Sequence, residues 1–226
     1  MEWTGFIAIA LGSGLLHALD ADHLIAVSGM SGMNRGGLRQ SMSFSLRWAL
    51  GHSLSIMLIG SLVLMLGMAI PLQLSHWSEI LVGLMLVGIG LILMLDLFRN
   101  RNSLYLHVHD KLPAHVHLQN NQPVNPLHRH RHGTMMVGVL HGTAGSAPLL
   151  ALLPASQINA PDQGIWFLLI FSIGVCASML VFGGILGNLF RVLQVRAQTS
   201  VQYLRALLGA LAVIVGGFII YQAGGL

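Results

Sequence analysis

Six long apolar runs, each near the roughly 20 residues needed to cross the hydrocarbon core of a bilayer, leave this chain little choice of fold. They cover residues 4–30, 43–69, 79–98, 134–154, 164–190 and 203–221. Only 8% of the residues are charged and 54% are hydrophobic, whereas a soluble domain carries about 25% charged residues. The expectation is an all-α, polytopic membrane protein with about six transmembrane helices. The leader Met1-Glu2-Trp3 is acidic and the first run holds ionisable groups, so that run reads as a retained span and not as a secretory signal.

The basic residues orient the bundle. Arg35, Arg39 and Arg47 flank the first loop, Arg99, Arg101, Lys111, Arg129 and Arg131 lie in the third, and Arg191, Arg196 and Arg205 flank the fifth. The other loops and both termini have none. The positive-inside bias therefore predicts cytoplasmic loops one, three and five, with both termini external. This spread of orienting charge accounts for the pI near 10 without a nucleic-acid partner, since no dense basic helix is present.

Against that apolar background stands Gly14-Leu15-Leu16-His17-Ala18-Leu19-Asp20-Ala21-Asp22-His23-Leu24. Ionisable side chains at bilayer depth are costly and usually face a protein interior or a water-filled path with a functional partner. On an unbroken helix His17, Asp20 and His23 share one face, while Asp22 falls about 100° from His23. Either Asp22 turns to a neighbouring helix or the helix is distorted and brings it round. His52 in Leu50-Gly51-His52-Ser53 lies a turn or two inside the second run, as a ligand or proton-handling partner of this cluster.

The polar stretch 99–133 carries His107, His109, His115, His117, His128, His130 and His132. Clustered imidazoles on a flexible chain make a weak, multi-site metal binder, here a loading or sensing element. The fourth run contains Gly138-Val139-Leu140-His141-Gly142-Thr143-Ala144-Gly145-Ser146-Ala147-Pro148. It lacks the Gly-Lys-Ser/Thr ending of a phosphate loop, and Pro148 predicts a kinked or broken helix.

This fourth run echoes the first. Gly14-Leu15-Leu16-His17 matches Gly138-Val139-Leu140-His141 at an offset of 124, and Leu50-Gly51 with Ser55 matches Ile173-Gly174 with Ser178 at 123. Leu81-Val82-Gly83 resembles Leu207-Leu208-Gly209 at 126. Three helices per unit is an odd number, so the halves would form two inverted three-helix repeats, 1–98 and 134–226, joined by the loop 99–133.

Histidine with carboxylate is a nitrogen and oxygen set suited to borderline divalent ions such as Ni, Co and Zn. Cys176 is the only cysteine, so no intrachain disulfide and no thiol relay across the membrane can form. The segment from His17 to His23, a His-x4-Asp-His pattern, resembles the signature of the nickel/cobalt transporter family, and Leu50-Gly51-His52-Ser53 resembles that family's second box. The resemblance implies that His17, Asp22, His23 and His52 bind the ion. The histidine-rich loop resembles that of efflux members. Typical importers of the family have eight helices and further acidic motifs in the second half, so the likeness is to a shorter branch.

The expected function is secondary transport of Ni(II) or Co(II) as substrate, with no cofactor. The metal ligands expected are His17, Asp20, Asp22, His23 and His52, with His141 as a second gate or ligand. Membrane lipid is the other expected partner, and homo-oligomerisation is left open. The alternatives are a membrane metal sensor and an intramembrane metalloenzyme. The His-Glu-x-x-His helix of a zinc protease is absent, and the loop histidines lack the helical spacing of a di-iron hydroxylase.

Overall fold

The computed structural model describes residues 3–33, 38–66, 72–100, 105–107, 115–117, 133–143, 161–196 and 198–224. The described helices are α1 Trp3–His17, α2 Ala21–Met33, α3 Leu38–Leu66, α4 Leu72–Asn100, α5 Gly133–Gly142, α6 Pro161–Arg196 and α7 Gln198–Gly224. Among the described residues, the membrane part is helical. The polar loop departs from that pattern with a short antiparallel pair, β1 Tyr105–His107 and β2 His115–His117, which sets His107 opposite His115 and Tyr105 opposite His117. His109, His128, His130 and His132 lie outside the described residues.

Four helices, α3, α4, α6 and α7, are each long and apolar enough to cross a membrane. They coincide with the second, third, fifth and sixth apolar runs. Their outward faces are apolar and exposed, as at Leu58, Leu62, Ile185, Ile214 and Phe218, the arrangement a lipid solvent favours over water. The first run is not one straight helix. Its two pieces, α1 and α2, meet at 54° across a short break, and they make a fifth span only as a bent pair. The fourth run is represented by α5 alone, and the kink expected at Pro148 falls outside the described residues.

Besides the extensive packing of α4 on α7 and of α3 on α6, two crossed pairings join the halves. Helix α1 packs on α6, and α5 packs on α3, so the first helix of each half leans on the second helix of the other. The contacts are made by glycine, whose missing side chain lets backbones touch. A Cβ at Gly14 would collide with the carbonyl oxygen of Phe171, and one at Gly138 with that of Trp48. Likewise Gly51 abuts the carbonyl of Met135, and Gly174 that of Leu11. Gly14 and Gly138 are the residues related by 124 in sequence, and Gly51 and Gly174 those related by 123. Between α4 and α7, Gly83 meets Gly216 and Gly90 meets Gly209. Equivalent residues thus make equivalent contacts in both directions.

A core of Trp48, Ile56, Phe167, Leu168, Phe171, Val175 and Met179 fills the centre between α3 and α6. The break between α1 and α2 lies beside it.

Candidate metal centre

The break follows from local sequence. Helix α1 ends in tightened turns, Leu19 N–H to Leu16 C=O at 2.9 Å and Asp20 N–H to His17 C=O at 3.1 Å. Helix α2 then starts from Asp20, whose carbonyl accepts from Leu24 N–H at 3.0 Å. Aspartate is a favoured helix cap, and Asp22 in the first turn of α2 suits the positive pole of that helix. The four side chains His17, Asp20, Asp22 and His23 are thereby gathered at one corner.

The second half delivers its histidine in a parallel way. His141 is the penultimate residue of α5, which ends in a turn where Thr143 Oγ1 donates to Leu140 C=O at 2.7 Å. Gly138 and Gly142 press α5 onto α3 at Trp48 and His52, and Ser55 Oγ donates across the seam to Val139 C=O at 2.8 Å. His17 and His141, related by 124 in sequence, thus both stand in the last turns of short helices. The negative ends of those helices favour a cation.

Four histidines converge here, each almost fully buried: His17 at 4%, His23 at 1%, His52 at 0% and His141 at 1% relative exposure. His23 is central. Its ring centroid lies 4.6 Å from that of His17, 4.9 Å from His52 and 4.7 Å from His141. His17 Nε2 and His52 Nε2 are 3.3 Å apart, and Asp22 holds His141 Nε2 at 3.0 Å through Oδ2 and His23 Nδ1 at 3.3 Å through Oδ1.

Two sets of donors follow. His17, His23 and His52 offer three nitrogens, and Asp22, His23 and His141 two nitrogens and an oxygen, each set with its donor atoms within 4.8 Å of one another. His23 Nε2, His52 Nδ1 and His141 Nδ1 are buried and find no hydrogen-bond partner among the described residues. An unpaired buried imidazole nitrogen is costly, and a divalent ion is one group able to satisfy several at once.

Of the residues singled out from sequence, His17, Asp22, His23, His52 and His141 meet here. The choice left open for Asp22 resolves both ways, because the helix breaks and the carboxylate also reaches a neighbouring helix. Asp20 stands outside both donor sets. Its carboxylate is partly exposed and lies 2.9 Å from His17 Nδ1, the position of a group that orients a ligand's ring.

Trp48 was not expected in the site. Its fully buried indole stacks on His52 with centroids 5.2 Å apart and planes 8° from parallel, and it meets His23 and His141 edge-on at 5.2 and 5.3 Å. Its Nε1 also lacks a partner among the described residues. The spacing of four between Trp48 and His52, one helical turn, was the available signal.

Cys176 is half-buried, with its Sγ 3.7 Å from Ser53 Oγ on α3. The chain has no second cysteine to pair with it.

The chain is 29% identical over 175 residues to the urease accessory protein UreH of Bacillus sp. (strain TB-90), an alignment covering 77% of this chain and 72% of the relative. No solved structure matches it. The match that spans most of the chain is not to the nickel/cobalt transporters that the His-x4-Asp-His motif resembles: over residues 9–218 this protein belongs to the family described as the cytochrome C biogenesis protein transmembrane region.

Proposed function

We propose that this protein is a secondary transporter of a divalent transition-metal ion, Ni(II) or Co(II), which binds between His17, Asp22, His23, His52 and His141. The observation that carries this reading is the gathering of four buried imidazoles and one carboxylate at a helix break within the apolar bundle. Nitrogen-rich sets with one carboxylate suit borderline ions, and a pure Mg(II) or Ca(II) site would be built of oxygen. The similarity to a urease accessory protein favours nickel among those ions.

In this mechanism the ion sheds part of its water on entering, and the imidazole nitrogens replace it. Asp20 and Trp48 hold the rings of His17 and His52 in place. Residues 1–98 and 134–226 act as two inverted repeats that rock about the site, supported by the reciprocal glycine contacts. The histidine-rich segment 99–133 lies in the cytoplasm as a loading element, and both termini are external.

Purified protein in vesicles loaded with a metal-sensitive dye tests the reading. Wild-type vesicles should show saturable Ni(II) or Co(II) flux, and His17→Ala and Asp22→Ala should abolish it. Flux undiminished in both variants refutes the site. Saturable binding with no flux in the wild type identifies a sensor. Radiometal accumulation in cells with and without the gene then gives the direction: a fall means efflux, a rise import.

A further inference from the structure

The five donors divide between the halves unevenly. His17, His23 and His52 all come from the first half, on α1, α2 and α3, whereas the other set takes His141 from α5 in the second. His23 belongs to both. An ion held by the three histidines is bound by one half alone. An ion held by Asp22, His23 and His141 bridges the two.

We propose, on the transporter reading above, that these are two successive stations for a single ion, with His23 as the pivot between them. Both cannot fill together. Two dications separated by one shared imidazole repel strongly, and Asp22 is the only carboxylate in either donor set to offset that charge. The stations also differ in chemistry. The bridging set is anionic and partly oxygen, and it keeps the ion attractive to water-borne exchange. The three-nitrogen set is neutral and fully buried.

The contact between Asp22 Oδ2 and His141 Nε2, 3.0 Å, is the bond that an ion at the bridging station replaces. Passing the ion from one station to the other therefore makes or breaks a link between the halves. Movement of the cargo and relative movement of the two halves become one event, which is what coupling an occluded ion to alternating access requires.

The test uses Co(II), whose visible bands report its donor atoms, on the full-length protein in detergent and in vesicles. Wild type should bind one Co(II) per chain tightly, apart from weaker binding by the histidines of segment 99–133. Asp22→Asn and His141→Gln each remove the bridging station. They should still bind one Co(II), within about tenfold of wild-type affinity, as losses confined to one part of a site allow. Their visible bands should shift to a common new position, and transport should be lost. His17→Gln and His52→Gln remove the other station and should likewise bind one ion and fail to transport, with bands displaced differently from the first pair. Each pair contains two variants, so one that fails to elute as a folded species leaves its partner to report.

Loss of binding in both pairs alike means a single five-donor site and overturns the proposal. Two tightly bound Co(II) per wild-type chain, both retained when the histidines of 99–133 are replaced by alanine, overturns it too, in favour of a dinuclear centre. No Co(II) or Ni(II) binding by the wild type is a different failure, that of the transporter reading itself.

Discussion

The two halves of this protein share a scaffold and divide the chemistry unequally. Gly14 and Gly138 seat their helices on opposite partners by the same backbone contact, and Gly51 and Gly174 do so in return. Yet the first half supplies the donors His17, Asp22, His23 and His52, and the second supplies His141 alone. At the position equivalent to His52 in the second half, 123 residues on, stands Val175, buried in the apolar core. Packing symmetry and chemical symmetry are therefore separable: glycine and backbone carbonyls preserve the first without any constraint on the second.

The sharpest way to test the chemical asymmetry is to remove the residue common to both donor sets. His23→Ala should lower Ni(II) or Co(II) affinity by about 100-fold or more and abolish vesicle flux, as isothermal titration calorimetry and dye-loaded vesicles would measure. Binding near wild-type strength would move the centre away from α2.

The scaffold symmetry is broken or upheld by a matched pair. Gly14→Val and Gly138→Val each force a side chain into a facing carbonyl, and overpacking of this kind costs about 1–3 kcal/mol. Thermal unfolding in detergent should show comparable losses for the two. A silent substitution on one side would mean that its seam is not the close contact described.

Smaller effects separate residues that hold the ligands from the ligands themselves. Asp20→Asn should weaken metal binding by about tenfold, since it loosens the ring of His17 without removing a donor. Trp48→Phe keeps an aromatic ring over His52 and loses the indole N–H, so its affinity loss should be about threefold, within the worth of one aromatic contact. Trp3, Trp77 and Trp166 are exposed, so emission quenched by bound Co(II) should come chiefly from Trp48 and largely vanish in that variant. At the low end, Ser55→Ala removes one hydrogen bond from the α3–α5 seam. It should cost about 0.6 kcal/mol, the average for such bonds between membrane helices, read as a small fall in unfolding midpoint.

Much of the bundle was legible because apolar run length is a direct image of bilayer thickness. Helices α3, α4, α6 and α7 fall where the runs at 43–69, 79–98, 164–190 and 203–221 place them. The corner at Ala18–Asp20 was only half legible. The aspartates that cap α2 were visible, but an apolar run conceals a bend because every residue of it is equally content in lipid. The short pairing of β1 with β2 was missed, since a histidine-rich polar loop carries no clear alternation of apolar residues. Four of the donors could be picked out by ionisable groups standing in apolar surroundings, and His141 by its match to His17. Their gathering was expected, but not their division into two sets that share His23, because Asp22 and His141 are separated by 119 positions and meet only through the packing of α5 on α3.

A surface that fits its own duplicate needs no foreign partner. The seam that Gly14 makes with α6 is the seam that Gly138 makes with α3, so each close approach on one side of the bundle is balanced by a like one on the other.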